Sequence, residues 1–162
     1  MKDLKAIAYS SKATRPLDVR DIDGLLMDAR AFNERVQVTG ALLHHGGTFF
    51  QYFEGAAGAV AAVYQRIRNS GSHEQLVELL NQPIERRQFA HWQMAFAEAP
   101  LTVLEQLSNE QWAMRLPALR EQQLQSPGLK MLLDFWNKTG PRPPASGSGN
   151  DGERTSEPIE GK

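Results

Sequence analysis

Gln51 stands between Phe49 and Phe53 at two-residue spacing, in the run TFFQYFEG that follows Gly46-Gly47. The β-branched and aromatic content of that run reads as a strand. Side chains alternate along a strand, so Phe49, Gln51 and Phe53 share one face while Phe50, Tyr52 and Glu54 share the other. An amide carries two N–H donors and an acceptor oxygen, and stranding such a group in an apolar core costs about 1–3 kcal/mol. Gln51 therefore predicts a polar partner inside the core. Other residues are also out of keeping with their surroundings: Tyr9 ends an apolar run, Asn33 ends a helical pattern, and Trp92 and Met94 flank Gln93. Taken singly, Tyr9 reads as a core tyrosine, Asn33 as a helix C-cap, and Trp92 with Met94 as packing. Gln51 is the residue such readings explain least well.

Other chemistries find little support. The chain has four histidines and no cysteine, which removes disulfides, thiolate metal sites and cysteine nucleophiles. His44 and His45 are adjacent in a strand pattern and point to opposite faces. His73 and His91 fall in loop-like stretches without a carboxylate at ligand spacing, so no metal site is expected. No phosphate loop, dinucleotide-binding glycine fingerprint or GxSxG elbow is present. With 18 basic and 19 acidic residues among 162, the formal net charge is −1, which argues against a nucleic-acid partner. No window approaches a membrane span, and the N-terminal apolar run is too short for a signal peptide. The expectation is a soluble, cytoplasmic protein that is not an enzyme.

These residues need a frame to hold them. Residues 4–10 read as a first strand with Ile7 and Tyr9 on one face. Asp18 reads as the N-cap of a helix to about Glu34, with Ile22, Leu25, Leu26, Ala29 and Phe32 as its apolar stripe. Residues 36–45 form a second strand, and the Gly46-Gly47 turn makes a hairpin with the third. A second helix covers 57–69 through Val60, Val63, Tyr64 and Ile67. Strands at 75–81 and 92–97 follow, placing Trp92 and Met94 on one face of the last. The order βαββαβ plus a further strand is the α+β, ferredoxin-like pattern, with both helices on one face of the sheet. The other face needs a cover. SNEQ at Ser108–Gln111 reads as a capping box opening a helix that Pro117 interrupts, and Leu129, Leu132, Leu133 and Trp136 form a further helical stripe. The expected division is a binding domain at 1–99, a helical cap at 100–139 and a disordered tail at 140–162, the tail being rich in Pro, Gly and Ser.

The chain resembles the BLUF family, sensors of blue light using FAD, through AIAYSS at 6–11, NERVQVTGALL at 33–43, FFQYFEG at 49–55, VYQRI at 63–67 and PIERRQFAHWQM at 83–94. The likeness extends over about residues 3–97 with the spacing between segments kept. It implies a ferredoxin-like fold with a flavin between the two helices. It also implies that Gln51 bridges Tyr9 to the flavin, that Asn33 bonds the ring's polar edge, and that Leu25 and Ile67 sandwich the ring. Arg66 and His73 would meet the ribityl and phosphate portion. Where the family often carries an aspartate and an arginine, this chain has Ser70 and Ser72, which leaves FAD, FMN and riboflavin as candidate cofactors, FAD first.

The mechanism implied by the resemblance is photochemical. Tyr9 gives an electron and, through Gln51, a proton to the excited flavin, and recombination leaves the hydrogen bonds rearranged. Trp92 and Met94 would sense the new amide state and pass it to the C-terminal helices. The output would be altered binding to a downstream protein, with self-association left open. The competing reading is a degenerate scaffold of the same fold that serves as a protein-interaction module without functional flavin. A third, an acylphosphatase-type enzyme, needs an arginine, an asparagine and a phosphate loop that the sequence does not offer.

Overall fold

The computed structural model describes residues 3–112 and 126–139. Chain order is β1 (Leu4–Ala13), α1 (Val19–Val36), β2 (Thr39–His45), β3 (Thr48–Ala56), α2 (Ala57–Arg68), β4 (His73–Ile84), β5 (Ala95–Glu98), α3 (Leu101–Asn109) and α4 (Pro127–Thr139). The five strands form one sheet in the order β4-β1-β3-β2-β5. All neighbours are antiparallel except β2 and β5, which run parallel. The fold is α+β and ferredoxin-like, with a fifth strand added beside β2.

Local chemistry sets the boundaries. Asp18 caps α1 by accepting from the Asp21 N–H at 2.8 Å, and the Asp21 carboxylate accepts in return from the Asp18 N–H at 3.1 Å. Gln37, at φ 57°, closes the helix, its N–H reaching the carbonyls of Asn33 and Glu34. Helix α1 thus runs past Asn33, so Asn33 is not the C-cap and its amide is free for another role. The Gly46-Gly47 turn has φ of 51° and 82°, the pair of positive values that a tight two-residue hairpin requires. At Gly40 a Cβ would lie 2.0 Å from the Tyr52 carbonyl oxygen, so only glycine fits there.

Two apolar layers enclose the sheet. On one face Ile7, Tyr9 and Phe53 pack against Ile22 and Leu26 of α1 and Val60, Val63 and Tyr64 of α2. On the other, Ala6, Ala8, Phe50, Tyr52 and Leu80 meet Leu104 and Leu107 of α3, Trp112, and Leu129, Leu132 and Trp136 of α4. Strand β3 is therefore buried on both sides. Burying a side chain such as Leu132 completely stabilises the cover by about 1.5–3 kcal/mol. Gly128 lets α4 approach closely, since a Cβ there would meet the Trp112 ring at 2.4 Å.

Three expectations need correction. Ser108 lies in the last turn of α3 and does not cap a helix start: α3 begins after Pro100, whose φ of −58° suits a helix entry, and the Ser108 hydroxyl donates to the Leu104 carbonyl at 2.9 Å, while the helix expected across Pro117 falls outside the described residues. His73 is the first residue of β4, not part of a loop. The last strand begins at Ala95, so Trp92 and Met94 precede it and do not share a face. Met94 packs into the layer under α1 and α2, while the half-buried Trp92 lies against the layer under α3 and α4, its ring 5.3 Å from that of Trp136. The alternation fails because residues 87–94 are irregular and pinned from several directions. The Phe89 N–H donates to the buried Glu54 carboxylate at 2.5 Å, and Arg87 donates to the Gln37 carbonyl at 2.7 Å. The Gly40 N–H donates to the Trp92 carbonyl at 2.8 Å. Pro117 and the stretch 140–162 lie outside the described residues.

Candidate functional site

Three strands bring the central polar residues together. Tyr9 of β1 and Leu42 of β2 are the ladder partners of Gln51 on either side of β3, so the three side chains stand in a row under the helices. The Tyr9 hydroxyl donates to Gln51 Oε1, and Gln51 Nε2 donates to Met94 Sδ at 3.3 Å. Both residues are buried, with 4 % and 5 % of their surface exposed. The amide expected to need a partner in the core has one in Tyr9. A thioether is only a weak acceptor, so the amide retains bonding capacity toward the adjoining cleft. Burial, with Tyr64 nearby, pushes the Tyr9 phenol far above its ordinary pKa, which keeps its proton in place.

That cleft, of about 280 Å³, opens between α1, α2 and the sheet. Tyr9, Leu25, Asn33, Gln51, Arg66, Ile67 and His73 all line it, and so do Ser70 and Ser72. Leu25, Phe32, Val63 and Ile67 supply apolar walls, and the Arg66 guanidinium lies 4.4 Å from the Phe32 ring centroid. The arrangement suits a flat apolar body with a hydrogen-bonding rim.

Two residues at its edge are already engaged. Asn33 is buried, and its Nδ2 donates to the Gln93 carbonyl at 3.3 Å. One helical turn earlier, Arg30 Nε donates to the Met94 carbonyl at 3.0 Å, so α1 grips the segment that carries Met94. His73 Nε2 lies 2.7 Å from the Ile67 carbonyl and Nδ1 lies 3.0 Å from Ser11 Oγ. A carbonyl can only accept, so Nε2 carries a hydrogen, and in the neutral ring Nδ1 accepts from Ser11. His73 thus ties α2, β1 and β4 together. Trp92 is not at the cleft.

Sequence reasoning missed several members. Ser11 follows Tyr9 by two residues on β1 and Phe49 precedes Gln51 by two on β3, so strand alternation alone would have found both. Val63 and Asp28 also line the cleft. Glu54 is the hidden one, fully buried on the opposite face, where it accepts from the Tyr52 hydroxyl at 2.9 Å as well as from Phe89. Burial raises its pKa against the pull of these bonds and of Arg87. Among the described residues no group of three or more potential ligands could hold a metal ion, and no helix is long and apolar enough to cross a membrane.

Comparison with known proteins bears on this arrangement. The family described as BLUF, sensors of blue-light using FAD, matches residues 4–95. Subunit beta of a photoactivated adenylate cyclase from Euglena gracilis is 33% identical over 95 residues, 58% of this chain and 11% of that protein. This chain spans only about a tenth of the length of the first such relatives. BlrB, a BLUF protein solved in its dark state, is 25% identical with a TM-score of 0.61, over 85% of this chain and 95% of that one. BlrP1 of Klebsiella pneumoniae, solved with FMN and cyclic diGMP, is 25% identical with a TM-score of 0.57, over 82% of this chain and 34% of that one. The fold, the cleft between two helices and the match over residues 4–95 agree, and the chain belongs to the BLUF family of flavin-binding blue-light sensors.

Proposed function

We propose that this chain is a blue-light receptor whose switch is the hydrogen-bonded series Tyr9, Gln51 and Met94, with a flavin seated in the adjoining cleft. The observation that carries this reading is the buried Gln51 amide, held by a phenol on one side and a weak sulfur acceptor on the other, at the wall of a cleft between two helices. Leu25, Phe32, Val63 and Ile67 would clasp the ring, with Asn33 and Gln51 at its polar edge. Arg66, at the exposed mouth, would meet the ribityl and phosphate end. Since both ring nitrogens of His73 have partners, His73 serves as a fixed wall there. FAD is the proposed cofactor, and Ser70 and Ser72 leave the phosphate end with few charges of its own.

When bound, a flavin supplies a blue-absorbing ring whose excited state is a strong one-electron oxidant. Every other part of the switch belongs to the chain. Tyr9 is the electron donor, and its Oη gives up a proton only to Gln51 Oε1, the acceptor it already faces. A rotated amide, or a rotated tautomer of it, no longer directs an N–H at Met94 Sδ. Met94 is held through its backbone carbonyl by Arg30, and the neighbouring Gln93 carbonyl by Asn33. The change at the sulfur therefore reaches residues 92–94, and through the Trp92–Trp136 contact the helical layer that would meet a protein effector.

Absorption spectroscopy of the purified chain tests the reading. A yellow protein with flavin bands that shift reversibly to the red under blue light is expected. Gln51→Leu should stay yellow and lose the shift, and Tyr9→Phe should also be inactive. A full reversible shift in Gln51→Leu would refute the mechanism.

A further inference from the structure

The first photochemical step leaves Tyr9 oxidised, and a second phenol stands next to it. The Tyr64 ring centroid is 6.2 Å from that of Tyr9, with the planes tilted by 32°, inside the same apolar layer. The chain has only three tyrosines, and the third, Tyr52, faces the opposite side of the sheet, where it is bonded to Glu54. Glu78 lies directly opposite Tyr9 in the β1–β4 ladder. Tyr64 and Glu78 line one further cleft, of about 280 Å³, with Arg68, His73 and Leu76. The Glu78 carboxylate bears on the Tyr64 phenol and, after burial, is what raises its pKa. The Arg68 guanidinium lies 5.4 Å from the Tyr64 ring centroid and disfavours a positively charged ring, so Tyr64 can lose an electron readily only if its proton leaves too.

We propose that Tyr64 is a second electron donor, which refills oxidised Tyr9 and hands its own phenolic proton to Glu78. The inference rests on the photoreceptor reading. The step balances as follows. One electron passes from the Tyr64 ring to the Tyr9 phenoxyl, and the Tyr64 O–H bond breaks as the proton moves to the Glu78 carboxylate. Tyr9 Oη recovers from Gln51 Oε1 the proton it had released. The products are neutral Tyr9, a Tyr64 phenoxyl and a Glu78 carboxylic acid, with the electron that Tyr9 first gave up still held by the flavin. The oxidising equivalent then resides in a cleft where a small reductant, such as a thiol or ascorbate, can quench it. Each such event removes Tyr9 from the switching route, so Tyr64 acts as a leak that limits the yield of the light response.

Illumination of the flavin-loaded chain, followed by freeze-trapping and electron paramagnetic resonance, tests the proposal beside the yield of the red shift per absorbed photon. Wild type should give a tyrosyl radical assignable to Tyr64, lost in both Tyr64→Phe and Tyr9→Phe. The yield of the shift should rise in Tyr64→Phe and in Glu78→Gln, variants that keep the packing. An unchanged radical and an unchanged yield in Tyr64→Phe would overturn the relay while leaving the photoreceptor reading intact. If the wild-type chain binds no flavin, the photoreceptor reading falls separately, and flash oxidation of the flavin-free chain by a ruthenium polypyridyl complex with persulfate decides the relay. A radical on Tyr64 in the wild type that is replaced by one on Tyr9 in Tyr64→Phe supports electron exchange between the two phenols, and a Tyr9 radical of equal intensity in both chains refutes it.

Discussion

Replacing Met94 with leucine separates what its sulfur does from what its volume does. Met94 is 2 % exposed, and its Sδ accepts from Gln51 Nε2 at 3.3 Å while Oε1 faces the Tyr9 hydroxyl. Turning the amide over would set Oε1 toward the sulfur, which offers no donor, so the sulfur bond favours one orientation by the worth of one weak hydrogen bond. A neutral bond contributes about 0.5–1.5 kcal/mol net, so removing it should raise the share of the alternative orientation about two- to tenfold. Leucine conserves volume and should cost under about 1.5 kcal/mol of stability, against about 2–5 kcal/mol for the cavity left by alanine. The side-chain amide resonances of isotopically labelled Gln51 report the two orientations, and urea denaturation reports stability. If Met94→Leu shows the same orientation ratio as wild type, the sulfur does not hold the amide and the argument fails.

Other outcomes can be checked alongside. Burial raises the folded-state pKa of Glu54 above its ordinary 4.5, so between that pH and its folded value the native state binds more protons than the unfolded chain. Its contribution is full below the unfolded pKa and is lost as pH rises through the folded one, and Glu54→Gln should flatten that fall in urea midpoints. Gly128→Ala would drive a methyl into the Trp112 ring and should cost about 1–3 kcal/mol, read as a lowered denaturation midpoint without loss of flavin binding. Asn33→Ala should loosen residues 92–94, seen as faster hydrogen exchange there than in β3, because one of that segment's two bonds to α1 is lost.

Much of the frame was legible because it rests on short-range rules. The period of α1, the Asp18 cap, the Gly46-Gly47 turn and the alternation in β3 all follow from residues close in sequence. The stripe Leu129, Leu132 and Trp136 gave the covering helix for the same reason. Residues 85–94 could not be read that way. Their path is set by Glu54 and Gly40, residues from 35 to 52 positions away in the chain for the bonds to Phe89 and Trp92, and no local pattern encodes such a distance. Misplacing the start of β5 put Trp92 and Met94 on one face. SNEQ misled in another way, since a serine near a helix end can bond back to the preceding turn as well as cap the next one. Of the cleft, the residues with unusual polarity stood out, whereas Val63 and Phe49 look like any core residue until the sheet is assembled.

Strand β3 carries Gln51 at the centre of the sheet, with a ladder on each side and an apolar layer above and below. Residues 87–94 hang on individual bonds from Glu54, Gly40, Asn33 and Arg30. A backbone fastened by two full ladders opens only when much of the domain opens, whereas one held by single contacts can let go a bond at a time. For a detector, that difference separates signal from noise. Thermal fluctuation in the loosely tethered segment leaves the Gln51 backbone in place, because the strand's two ladders hold it, and touches the side chain only through Met94. In the proposed switch a change at the amide would reach the segment through Met94, the contact the two share. Loosening β3, by contrast, would let warmth mimic illumination, so substitutions that weaken the central ladders should raise the background response in darkness before they unfold the protein.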